Sequence, residues 1–174
     1  MQKAIKAEDT IIKIIGDDGR FPNNSKLPVI IYRQAIDSSA VSAEIVEALF
    51  ASNRWRHSWR NGIYPYHHYH STAHEVLGIY DGHAKIQLGG PEGISLQLMA
   101  GDIIIIPGGV AHKNLGSSSN FACVGAYPIN QNFDMKYGKA EERPQSIANI
   151  RALSLPDTDP VYGKDGELIR AWLK

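Results

Sequence analysis

Apolar and polar positions change rhythm several times along the chain. Residues 1–28 are mixed and turn-rich, with Gly16-Asp-Asp-Gly19 and Pro22-Asn-Asn-Ser25 as punctuation before a short apolar strand, Val29-Ile-Ile-Tyr32. From Asp37 to Ser52 the pattern is helical: Val41, Ile45 and Leu49 recur at four-residue spacing, with Asp37, Ser38 and Ser39 available as caps. After Gly62 the rhythm shortens to β-rich segments at 62–70, 74–81, 83–89, 94–99, 102–106 and 121–127, parted by Gly, Pro, Ser and Asp.

Two of these segments alternate strictly. Ala84-Lys-Ile-Gln-Leu88 and Ile94-Ser-Leu-Gln-Leu98 each bury one face, and Gly89-Gly-Pro-Glu-Gly93 joins them as a hairpin. Ile103-Ile-Ile-Ile106 is apolar on both faces, which calls for a strand covered on both sides, or one between a barrel interior and an outer layer. Many short antiparallel strands predict an all-β barrel or jelly roll, preceded by one short helix. The tail from about residue 129 carries Pro144, Pro156 and Pro160 and the apolar stretches Ile147–Leu155 and Leu168–Leu173, and is expected to wrap back over the barrel or to meet a second subunit.

A chain of 174 residues fits one domain. The expected division is an N-terminal arm and helix at 1–60, a barrel core at 61–128 and a C-terminal wrap at 129–174. Lys plus Arg number 18 and Asp plus Glu number 18, with no basic run, which removes the electrostatic case for nucleic acid or an anionic membrane. A small-molecule partner suits this balance better. Met1 to Thr10 lacks the apolar core of a signal peptide, and no apolar run spans a bilayer, so a soluble cytoplasmic protein is expected. The one cysteine, Cys123, excludes an intrachain disulfide and a cysteine-rich zinc site; its apolar surroundings predict a buried thiol.

Candidate chemistry gathers in Gly62 to Gly82. On a strand, residues two apart share a face, so His68 and His70 can aim at one point while Tyr69 faces away. Glu75 has the opposite parity, and Ser71-Thr72-Ala73 must bend or bulge to bring its carboxylate to the same side. Farther on, Pro107-Gly-Gly109 makes a turn that ends the Ile-rich strand and delivers His112.

These residues resemble the two motifs of the cupin superfamily. Residues 62–82 match the first throughout: Gly, five residues, His-x-His, four residues, Glu, six residues, Gly. Residues 101–112 match the second, Gly, five residues, Pro-x-Gly, two residues, His; its terminal Asn falls on Gly116, with Asn114 the nearest asparagine. Surrounding stretches such as Ser58-Trp-Arg-Asn-Gly-Ile-Tyr64 and Gly125-Ala-Tyr-Pro128 are similar to the small bacterial cupins typified by YjlB. The resemblance implies a double-stranded β-helix and a metal site of His68, His70, Glu75 and His112. It also makes a homodimer an expected state.

Three imidazoles and one carboxylate suit a divalent transition metal: iron, manganese, nickel, cobalt or zinc. Iron is favoured, because four protein ligands leave a six-coordinate ion open but saturate tetrahedral zinc. Tyr66 shares parity with the two histidines and is a candidate acid; Arg56 and Arg60 are candidate clamps for a substrate carboxylate. His67 and His74 are expected beside the site rather than in it, and Lys113 facing away. The implied function is a metal-dependent enzyme acting on a small oxygenated molecule, first an iron(II) dioxygenase. A metal-dependent isomerase or lyase, or a non-catalytic metal or small-molecule-binding barrel, is the alternative.

Overall fold

A computed structural model describes residue 7 and residues 9–174. The expectation of no signal peptide rests mostly on positions outside the described residues. The elements in chain order are β1 (Asp9–Ile15), β2 (Asn24–Arg33), α1 (Ala43–Ser52), β3 (Trp55–Asn61), β4 (Glu75–Asp81), β5 (His83–Leu88), β6 (Ile94–Met99), β7 (Ile103–Ile106), β8 (His112–Ser117), β9 (Ala122–Pro128), α2 (Arg143–Ala152) and α3 (Glu167–Trp172).

Strands β1-β2-β7-β4-β9-β3 form one sheet and β6-β5-β8 a second, with every pairing antiparallel. This is the double-stranded β-helix expected from the sequence, with its short N-terminal helix and its C-terminal arm. Strand β7 explains its own composition. Ile104 and Ile106 join Leu77, Ile79, Ile86, Leu88 and Leu98 between the sheets, whereas Ile103 and Ile105 face outward onto Val46, Phe50 and Trp172. Burying each isoleucine contributes about 1.5–3 kcal/mol, so a strand apolar on both faces is held from both sides.

The outer layer is α1 together with the returning tail. Gly78 on β4 lets α1 close in, since a Cβ there would stand 2.5 Å from Val46 Cγ1. The helix begins later than its apolar spacing suggests. Asp37 is consumed by a turn, accepting from the Ser39 N–H at 2.8 Å and the Ser39 hydroxyl at 2.7 Å, and Ser42 caps α1 by accepting from Ile45 N. The tail is pinned by Asp159, which is buried and accepts from the Tyr32 hydroxyl at 2.5 Å and from Val161 N at 2.8 Å. Trp172 Nε1 donates to the Pro28 carbonyl at 3.0 Å.

Several segments depart from the sequence expectation: the turn-rich start carries β1, the tail carries α2 and α3, and two segments near the barrel exchange roles. Residues 62–70 form no regular strand; Pro65 supplies no N–H, and the segment pairs with its neighbours only through isolated bridges, His68 with His112 and Tyr69 with Lys136, and single bonds such as Asn114 N to Tyr64 O. Trp55–Asn61, rich in polar residues, is instead an edge strand on β9, with a register shift between Arg56 and Trp59 where His57 takes a φ of 57°. No helix of the described residues is long and apolar enough to cross a membrane.

Candidate metal centre

Four buried side chains converge at one end of the space between the sheets: His68, His70, Glu75 and His112. His68 and His112 are joined through their backbones, His112 N donating to His68 O at 2.9 Å and His68 N to His112 O at 3.3 Å. Gly109, in the left-handed region at φ 100°, turns the chain so that its own N–H reaches His70 O at 2.8 Å. One turn therefore places β8's histidine and fixes the segment carrying the other two. Tyr69 points away, as parity requires, into a small cluster with Phe21 and Ala111.

The parity change before Glu75 is made at Ser71-Thr72. The Asp134 carboxylate accepts from Ser71 N at 2.6 Å, from Thr72 N at 3.3 Å and from the Ser71 hydroxyl, holding the chain in a bend from which β4 starts with Glu75 facing inward beside Leu77. These bonds hold the Asp134 carboxyl below its usual value even though burial opposes this.

Each imidazole is oriented in the same way. His68 Nδ1 meets Tyr66 O at 3.1 Å, His70 Nδ1 meets Asp134 O at 2.6 Å, and His112 Nδ1 meets Val110 O at 3.0 Å. A carbonyl only accepts, so these partners assign the proton to Nδ1 and leave an Nε2 lone pair facing inward in each neutral ring. One ring nitrogen from each histidine lies within 4.8 Å of the other two.

Glu75 adds its carboxylate, Oε2 at 3.2 Å from His70 Nε2 and Oε1 at 3.2 Å from His112 Nε2. His112 Nε2 is buried without a hydrogen-bond partner. Lone pairs turned on a carboxylate repel unless a proton or a metal cation stands among them, so this donor set fits a divalent ion. The charges agree. Burial, with His112 alongside, pushes His68 down to about 3, keeping it neutral at physiological pH. Burial opposes charge on His70 and on Glu75, yet each shifts the other toward ionisation, His70 upward and Glu75 well below the ordinary carboxylate range.

A cavity of about 190 Å³ opens beside the cluster, walled by Trp59, Ile63, Tyr64, Leu77, Tyr127, Phe133 and Met135. It has room for far more than one water. Trp59 and Tyr127, which the sequence reading did not single out as site residues, join there through a 2.8 Å bond from Trp59 Nε1 to the Tyr127 oxygen.

The remaining sequence candidates lie elsewhere. Arg60 borders the cavity, but its guanidinium turns to the outer face, with Nε and NH2 at 2.8 and 2.9 Å from Glu47 and NH1 at 3.1 Å from Glu44. Arg56 is exposed on β3 and does not line the cavity. Tyr66 is 42% exposed, stacked on Tyr64, and borders an open surface groove with Arg20, His67 and Lys113. The irregular backbone around Pro65 breaks the alternation that would have aimed it inward. His74 is buried and structural, its Nδ1 accepting from Gly108 N at 2.9 Å and its Nε2 meeting Ser154 O at 3.2 Å. Cys123 is buried, its thiol pushed up by burial.

No family model matches the chain. The uncharacterized protein YjlB of Bacillus subtilis is 40% identical over 158 residues, covering 91% of this chain and 93% of YjlB. The chain belongs to the YjlB family. Solved structures are more distant. An acireductone dioxygenase from Bacillus anthracis, with cadmium in its active centre, is 16% identical at a TM-score of 0.41, covering 54% of this chain and 63% of that one. The dTDP-6-deoxy-D-glucose-3,5-epimerase RmlC of Legionella pneumophila is 17% identical at a TM-score of 0.39, covering 71% and 74%. At that distance neither carries an argument about chemistry in the YjlB family, which rests on the side chains described above.

Proposed function

We propose that the protein is a metal-dependent enzyme acting on a small oxygenated molecule, specifically an iron(II)-type dioxygenase, with His68, His70, His112 and Glu75 holding one divalent ion. One observation carries the reading: three imidazoles, each anchored through Nδ1 to a carbonyl, bring one nitrogen apiece within 4.8 Å of the others, two of them 3.2 Å from a buried carboxylate, beside a cavity of about 190 Å³. A site serving only stability has no need of such an adjoining space.

When bound, the ion would supply Lewis acidity and redox chemistry. The chain's own residues do the rest. Carbonyls of Tyr66, Asp134 and Val110 fix the ring orientations before loading. Glu75 offsets part of the cation's charge. Trp59, Leu77, Tyr127 and Phe133 exclude bulk water from the reacting molecule and hold it against the donor cluster.

The test is oxygen uptake by iron-loaded protein over a panel of catechols, diketones and hydroxy acids, with ¹⁸O₂ labelling of any product. A dioxygenase places both atoms of dioxygen in the product without an external reductant. Turnover that persists without oxygen would move the assignment to an isomerase or lyase; metal content with no turnover on a broad panel would move it to a binding protein.

A further inference from the structure

We infer that the cavity selects an uncharged or weakly acidic molecule with a ring-sized apolar body, and that Tyr127 positions it by donating a hydrogen bond to its oxygen. This rests on the metal reading above and names the substrate class of that same site.

Tyr127 is held from several directions. Trp59 Nε1 donates to its oxygen at 2.8 Å, which occupies a lone pair and leaves the phenol proton to be donated onward. The indole is itself fixed, lying so close over Gly125 that a Cβ there would stand 2.2 Å from Trp59 Cζ2. Phe133 stacks on the Tyr127 ring at 4.9 Å between centroids and 17° between planes. The hydroxyl therefore has one place in the cavity, where without an ion the Glu75 carboxylate is its acceptor. With Glu75 turned to an ion, that proton is available to a guest's oxygen.

The charge of the walls sets the class. Among the described residues Arg60 is the one Lys or Arg bordering the cavity, and Glu44 and Glu47 hold its guanidinium on the outer face. A fully ionised carboxylate or phosphate group finds no side-chain cation there, so any charge that does not reach the ion itself is desolvated without compensation, which is costly. A phenol or enol enters neutral and ionises only against the ion. The wall surfaces complement a ring rather than a polyol: Trp59, Leu77 and the faces of Tyr64 and Phe133 are apolar, and Phe133 stands half-exposed at the mouth.

The experiment titrates metal-loaded protein with 4-nitrocatechol by absorbance at about pH 5.5, where the free ligand is largely un-ionised and the competitors lactate and glycerol 3-phosphate are not, with metal content measured on the same samples. Saturable nitrocatechol binding is expected, roughly tenfold or more tighter than either competitor. Tyr127→Phe should weaken it by roughly five- to tenfold, the loss of one hydrogen bond, with metal content unchanged. Phe133→Ala, at an exposed position that the fold tolerates, should weaken it as well. Unchanged affinity in Tyr127→Phe, or competitors that bind as tightly as nitrocatechol, would overturn the inference while the measured metal leaves the site reading standing. If the wild-type protein takes up no metal, the site reading falls separately, and titration of that metal-free protein decides the inference: Tyr127-dependent binding supports it and no binding overturns it.

Discussion

Glu75 Oε1 lies 3.2 Å from His112 Nε2, yet that nitrogen has no hydrogen-bond partner, because the His112 proton is committed at Nδ1 to Val110 O. Two acceptors are thus held face to face by the backbone. A cation relieves this contact, so adding a divalent transition ion to chelator-stripped protein should stabilise it. At a hundredfold excess over Kd the linkage contributes about 2.7 kcal/mol, a rise in melting temperature of roughly 5–10 °C for a chain of this size. His112→Ala should abolish the metal-dependent rise; an equal rise in that variant would count against the ligand assignment.

Asp134 is the bracket behind the site. Asp134→Ala removes three acceptor contacts to Ser71 and Thr72 and loosens the carbonyl that orients His70. Urea unfolding should show a loss of about 1.5–3 kcal/mol, and metal titration a roughly tenfold weaker site. A stability loss with undiminished metal affinity would mean that the bend does not control the ligands.

Gly78→Ala separates fold from site. Its Cβ would stand 2.5 Å from Val46 and 3.0 Å from Phe50, on the opposite side of β4 from the cavity. Overpacking should cost about 1–3 kcal/mol by chemical denaturation, while metal content per folded chain stays at the wild-type level.

His74 sets a limit on acid stability. Burial pushes its pKa from 6.5 down to about 4, outweighing the bond to Ser154 O, which by itself favours the charged ring. The unfolded chain therefore takes up a proton first. Stability is fully present above about pH 6.5 and is lost as pH falls from 6.5 toward 4, by on the order of 3 kcal/mol. The urea midpoint of metal-free protein between pH 7.5 and 4.5 measures this. His74→Gln should be less stable at neutral pH and show a flatter acid limb; a limb of unchanged steepness would assign the acid sensitivity to other groups.

Much of the barrel was legible in the chain, and for a physical reason. Alternation at 84–88 and 94–98 and the two-faced run at Ile103–Ile106 report burial directly, and burial is what organises β5, β6 and β7. Residues set by single contacts were not. Trp55–Asn61 reads as polar because it is an edge strand, and 62–70 reads as a strand although Pro65 interrupts it. Parity failed for Tyr66 for the same reason. Asp134 and Tyr127 lie 59 and 52 residues from Glu75 in sequence, and nothing local marks them as its neighbours. Arg60 shows the converse: a cation beside aromatics suggested a substrate clamp, and two glutamates on α1 account for it instead.

The most direct test of the central claim is the metal content of tag-free protein purified without added metal, measured by elemental analysis beside His68→Ala and Glu75→Gln. The account predicts close to one divalent transition ion per chain in the wild-type protein, iron foremost, and a large loss in both folded variants. A folded wild-type protein that stays empty even after anaerobic incubation with iron(II), manganese or nickel would contradict it, as would variants that keep the full complement.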